Sequence, residues 1–144
     1  MPKSSRGFTL VELLITVSII AILSAIGLIV YSAVIKQGRD SKRQSDLRSI
    51  QSALEQYYSD QFYYPSSITI NSPLNFGGKT YLNNIPGDPL GNPQYSYIAS
   101  PSGCNNTSVK CNYYCLYAKL ENTSSPAPSG CTYPGGYNFA VSPP

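Results

Sequence analysis

Two groups of residues in this 144-residue chain have types and spacing that could carry chemistry: a lone carboxylate in an apolar run, and four late cysteines. Glu12 is the only charged side chain between Phe8 and Ile35. A charge at the centre of a membrane helix costs roughly 2.5–3.5 kcal/mol, so such a group is a functional candidate by default. Cys104, Cys111, Cys115 and Cys131 fall within the last 41 residues, among Gly, Pro, Asn and Ser. An even count in that setting predicts two disulfides formed in an oxidising compartment, with three pairings open. The competing possibility is a four-thiolate zinc site, but C-x6-C-x3-C-x15-C lacks the paired short knuckles usual for one. Histidine is absent. That removes Ser-His-Asp and Cys-His nucleophiles and His-ligated zinc. With no clustered acid pair either, neither an enzyme nor a cofactor or metal is expected. A net charge of +3, with 12% of residues charged, gives no nucleic-acid-binding tail.

The elements that must position these groups divide by composition. Met1 to Gly7 is short and basic, carrying Lys3 and Arg6. Leu13 to Ile35 gives 23 uncharged residues, above the ~20 a helix needs to cross a bilayer. A cleaved secretory signal would have a shorter apolar core followed by a small-residue site, whereas here the apolar run continues through Gly27 to Tyr31. Beyond Lys36, Leu47, Ile50, Leu54, Tyr57 and Tyr58 recur on one face of a 3.6-period helix, with Ala53 beside them. Asp40, Lys42, Arg43, Asp46 and Arg48 are assigned off that stripe, to solvent. No proline interrupts Phe8 to Tyr64, so span and stripe are expected to form one helix from Phe8 to Gln61, about 80 Å long at 1.5 Å per residue. A small domain cannot bury such a rod. Its first half must face lipid or other copies of itself. Gly27 marks either a bend or a place of close helix contact.

After Pro65 the chain turns to Pro, Gly, Asn, Ser and Tyr, and short strands are predicted at Ser67–Ile70, Tyr95–Ala99, Tyr113–Leu120 and Tyr137–Val141. Turn signals include Gly77-Gly78, Pro86-Gly87-Asp88-Pro89, Gly91-Asn92-Pro93 and Pro134-Gly135-Gly136. The fold class expected is α+β, a long helix with a small antiparallel head packed on the Leu47 to Tyr58 stripe. A head of about 80 residues is marginal for a core, so disulfides would help it. The thirteen tyrosines are assigned to amphipathic core positions rather than to stacking surfaces for DNA or sugars.

The stretch Lys3-Ser4-Ser5-Arg6-Gly7-Phe8-Thr9-Leu10-Val11-Glu12-Leu13-Leu14 resembles the processing signal of type IV prepilins and of type II secretion pseudopilins. The resemblance implies a pilin-like fold, cleavage by a prepilin peptidase between Gly7 and Phe8, and N-methylation of Phe8. It also implies that Glu12 pairs with the α-amine of an adjacent subunit and so sets axial register; methylation leaves that amine charged. The competing account of Glu12 is a carboxylate neutralised by headgroups or by the helix N-terminus. Gly38 to Arg43, Asp46 to Tyr58 and Tyr64-Pro65 look like the exposed half-helix of major pseudopilins. Ile85-Pro86-Gly87-Asp88-Pro89-Leu90-Gly91-Asn92-Pro93 and Tyr95-Ser96-Tyr97 are similar to a turn-rich segment of the same proteins. Residues 98–144 carry no resemblance. Nor is there a proline in mid-span, as many pilins have, and only Asp88 and Glu121 are acidic after Phe62, too few for the calcium that major pseudopilins hold.

The organisation implied is a leader over 1–7, a membrane and assembly half-helix over 8–35, an amphipathic half over 36–64 and a β head over 65–144. The function implied is a structural subunit of a type IV pilus-like filament. The alternatives are a major pseudopilin of a type II secretion system and a DNA-binding minor pilin of an uptake system. Partners implied are like subunits, the membrane, the processing peptidase and assembly machinery. The precursor would sit in the cytoplasmic membrane with its head outside. One signal opposes that orientation: Lys36, Arg39, Lys42, Arg43 and Arg48 outnumber Lys3 and Arg6 across the span, which by charge alone would hold the head inside.

Overall fold

A computed structural model describes residues 7–92, 94–122 and 124–144; the basic residues Lys3 and Arg6 lie outside the described residues. The chain forms α1 (Leu10–Gln61) followed by β1 (Leu74–Phe76), β2 (Lys79–Leu82), β3 (Ser96–Ser100), β4 (Tyr113–Ala118) and β5 (Phe139–Val141). It divides into two compact units, one ending at Lys36 and one running from Gln37 to Pro144.

The first unit is the apolar half of α1. The hydroxyls of Thr16 and Ser18 donate back to the carbonyls of Leu13 (2.8 Å) and Leu14 (2.7 Å), so these two are satisfied within the helix itself. Its large apolar side chains, from Leu10 to Ile35, are all exposed where described.

In the second unit the helix buries the expected stripe of Leu47, Ile50, Ala53, Leu54 and Tyr57. The helix stops where expected: Phe62 takes a left-handed conformation (φ 61°) and its N–H donates to the Tyr58 carbonyl at 2.8 Å, with Pro65 shortly beyond. Asp40, Arg43 and Asp46 are buried, however, while Lys42 and Arg48 are exposed. The assignment of all five to solvent is thereby corrected. Positions 40, 43, 47, 50, 54 and 57 advance by alternating threes and fours, so Asp40 and Arg43 lie on the same face as the apolar stripe.

β3, β4 and β5 form an antiparallel sheet in that order, with Ile98 opposite Cys115 and Leu116 opposite Val141. Successive side chains of β4 point to opposite faces. Tyr114, Leu116 and Ala118 enter the helix-facing core, whereas Cys115 and Tyr117 join Cys131 and Ala140 on the other side. Both faces of β4 are therefore covered.

The strands near Tyr95, Tyr113 and Tyr137 appear with shifted ends, but two corrections are needed. Ser67–Ile70 belongs to no strand, because no neighbouring segment pairs with it, although Ile68 and Ile70 still pack against the core. The unforeseen pair is the β1–β2 hairpin, whose turn is Gly77-Gly78 with φ of 58° and 82°. Two successive positive φ values are what a tight two-residue hairpin turn needs, and glycine takes them without a side-chain penalty.

Leu54→Ala removes a fully buried side chain and should lower the head's unfolding free energy by about 2–5 kcal/mol. Val34→Ala, on the bare half-helix, should leave it unchanged. Denaturant unfolding followed by tyrosine fluorescence in detergent separates the two.

Candidate functional site

The site expected at the N-terminus is built by the first turn of α1. Thr9 stands just before the helix, and its hydroxyl oxygen accepts the Glu12 N–H at 3.2 Å. The Glu12 carboxylate folds back towards the Thr9 N–H (3.5 Å) and hydroxyl (3.4 Å). This is a reciprocal cap of the Thr-x-x-Glu kind, in which each side chain satisfies a backbone donor that the helix leaves open. That pattern was present in the sequence and went unread. Gly7 and Phe8 precede the cap and are exposed. In the isolated chain, then, Glu12 is held by its own helix end, one turn from Phe8, in a stretch that carries no other charge.

The cysteines lie elsewhere, in the head. Cys104 bonds to Cys111 and Cys115 to Cys131, with Cα separations of 5.2 and 5.8 Å, so all four sulfurs are in disulfides. The first closes the loop before β4. The second ties β4 to the loop leading to β5. The Cys111 carbonyl also accepts the Tyr64 N–H at 2.8 Å, fixing that closed loop to the segment after α1.

A third constellation was not anticipated. Buried Arg43 donates to Asp88 (2.6 and 3.2 Å), to Asp40 (2.9 Å) and to Glu121 (2.9 Å). Arg39 forms a two-pronged pair with Glu121, both contacts at 2.7 Å. Asp40 further accepts the backbone N–H groups of Glu121 and Asn122, each at 2.8 Å. The two acids left in the head after Phe62 thus serve as counter-charges to helix arginines. Hydrogen bonding to Asp88, more than to the other carboxylates, raises the Arg43 guanidinium above its ordinary range despite burial. Arg39 and then Arg43 hold the partly exposed Glu121 carboxyl down at about 2. The only sequence signal was the spacing that puts Asp40 and Arg43 on the buried stripe.

Tyrosines extend the same pattern along the helix. Tyr95 donates to Asp46 at 2.9 Å, Tyr64 and Tyr114 to Glu55 at 3.0 and 3.1 Å, and Tyr81 to Asp60 at 2.9 Å. All seven acidic residues of the chain therefore have structural partners. Among the described residues, no buried side-chain nitrogen or oxygen lacks a hydrogen bond, and no three metal-ligating side chains cluster.

A helix that is apolar in its first half, opens on Gly7-Phe8 with one carboxylate a turn later, and carries a disulfide-closed α+β head defines a helix-anchored filament subunit. Residues 2–28 match the prokaryotic N-terminal methylation motif family. The chain is 33% identical over 108 residues to the type II secretion system core protein G of Pseudomonas aeruginosa, spanning 67% of this chain and 75% of that protein. It is 26% identical over 98 residues to the type II secretion system core protein G of Escherichia coli K12, spanning 60% and 68%. No solved structure matches the chain. The chain belongs to the type IV pilin and pseudopilin family. It is a structural subunit of a pilus-like filament.

Arg43→Leu leaves Asp40 and Asp88 buried without their counter-charge and should destabilise the head by about 3–5 kcal/mol in denaturant melts. The pH dependence has a definite sign. Glu121 is held below its ordinary value of 4.5, so its contribution is complete above about pH 4.5 and disappears as pH falls through about 2. The melting temperature should drop across that window, and Glu121→Gln should flatten the drop.

Proposed function

We propose that the chain is made as a precursor whose leader, residues 1–7, is removed by cleavage between Gly7 and Phe8, with N-methylation of Phe8. The mature subunit then serves as a pseudopilin of a type II secretion system. The 33% identity to a core protein G supports the pseudopilin alternative over a pilus proper. The observation that carries the proposal is the bare apolar helix over 8–35 with Glu12 as its one charged group.

Among the described residues, seventeen large apolar side chains from Phe8 to Ile35 are exposed. At about 1.5 kcal/mol or more each, their exposure to water would cost about 25 kcal/mol, beyond the roughly 5–15 kcal/mol that stabilises a typical domain. Bilayer covers them in the precursor, and sister helices cover them in the fibre. The transfer needs a register device, and Glu12 is suited to it. Among the described residues its carboxylate is tied only by the long contacts to Thr9, which a neighbour's Phe8 amine can replace with a charge-assisted bond. A helix docked one turn out of register would leave the carboxylate in an apolar interface without that amine.

The head, residues 65–144, faces the extracytoplasmic side, which suits its two disulfides. The amphipathic half-helix, 36–64, carries it. The role is non-enzymatic, in keeping with carboxylates committed to structural pairs.

Intact mass of the subunit from membranes is expected to show a chain starting at Phe8, one methyl heavier and four hydrogens lighter than the reduced, unmethylated chain. Retention of Met1 in assembled material would refute the processing step. Glu12→Ala should be processed and membrane-bound yet yield few or no fibres by electron microscopy; fibres at the parent level would refute the register role.

A further inference from the structure

The segment predicted as a strand at Ser67–Ile70 and found without a partner is held in place as though one were expected. At one end, Tyr97 donates to the Pro65 carbonyl at 2.7 Å and Asn106 to the Tyr64 carbonyl at 2.8 Å. At the other, the Asn71 N–H donates to Ile85 at 2.8 Å, and Gly87 leaves room for Ile70, whose methyl lies 3.1 Å from where a Cβ would stand. In between, Ile68 and Ile70 are half-buried against the core while Ser67 and Thr69 are exposed, the alternation of a strand on a surface. Yet Ser66 through Ile70 make no hydrogen bond to any described residue. Five consecutive residues thus keep their backbone donors and acceptors open on a pinned segment.

Ser66 to Thr69 line a groove of about 400 Å³. β1 lines it too, and it pairs with β2 on one side only, so its other edge is also open. Half-buried Ile68 and exposed Phe76 contribute apolar surface, and no charged side chain among the described residues lines the groove. An α-helix about 10–12 Å across needs more room, whereas three or four residues of strand, about 10–13 Å long, fit this scale. We propose that the groove binds an extended, uncharged polypeptide segment by strand addition to residues 66–70. Main-chain hydrogen bonds supply the affinity, and alternate apolar side chains of the ligand lie beside Ile68 and Phe76. The proposal does not depend on which filament the subunit joins.

The test uses the full chain in detergent micelles and amide hydrogen exchange read by NMR. The probe is the blocked peptide acetyl-Thr-Val-Thr-Val-Thr-amide. Saturating peptide should slow exchange about tenfold or more at alternate amides within Ser66 to Ile70, an effect that follows occupancy of the new bonds. The acidic counterpart acetyl-Asp-Val-Asp-Val-Asp-amide should give little protection. Successive strand donors point to opposite sides, so Ile68→Pro and Thr69→Pro should differ, one weakening binding about tenfold and the other not. No protection at millimolar peptide would overturn the proposal, as would protection confined to other residues or equal binding by both proline variants. Equal protection by the acidic peptide would overturn the uncharged-ligand assignment. Equal protection by maltose would make the site one for saccharides instead.

Discussion

The apolar half of α1 imposes the constraint from which the other features take their sense. Residues 10–35 are helical, with the Thr16 and Ser18 hydroxyls bonded back to the helix, but residues 8–35 bury none of their described side chains within the chain. An amphipathic helix would need one partner face. This one is apolar all round and needs full enclosure, which lipid or a bundle of like helices provides. Glu12 is the one charge among a few hydroxyls such as those of Thr16 and Ser18, and a largely apolar surface is a weak determinant of register. In the proposed role, a single carboxylate fixes that register for the same reason it is expensive.

The second unit meets a different demand. A head with short strands and many turns has a modest core, and it compensates with ties that reach back to the helix. Arg43 draws together a helix acid, the loop at Asp88 and the loop at Glu121. Tyrosine hydroxyls add links to Asp46, Glu55 and Asp60. Two disulfides close the loops on either side of β4. The buried ion cluster is a costly way to gain stability compared with apolar packing, but it forbids many misfittings of loop on helix, because each leaves a charge unpaired. Such specificity suits a head that is carried on a helix whose first half packs against other molecules.

Much of this was legible from residue order alone. The helix was, because an unbroken apolar run and a 3.6-period stripe meet without a proline between them. The N-terminal motif that runs through Gly7, Phe8 and Glu12 was, because it is local. The buried role of Arg43 was not, since a charged residue on a stripe reads as solvated until its counter-charges, 45 and 78 residues away, are brought in by the fold. Strand positions were blurred for a related reason. Ser67–Ile70 has the alternation of a strand, but a strand exists only with a partner. The Gly77-Gly78 hairpin is flanked by segments too short and polar to announce themselves, Leu74–Phe76 and Lys79–Leu82. Pairing of the cysteines likewise needed the register of β4.

The central claim is that the mature helix must be enclosed by lipid or by its own kind. Sedimentation velocity of the mature full-length protein, before and after detergent removal, addresses it directly. The account predicts small protein–detergent particles that convert to fibres or large assemblies once detergent is withdrawn. A stable, detergent-free monomer, slightly lighter than the 15.6 kDa of the whole chain because the leader is gone, would contradict it.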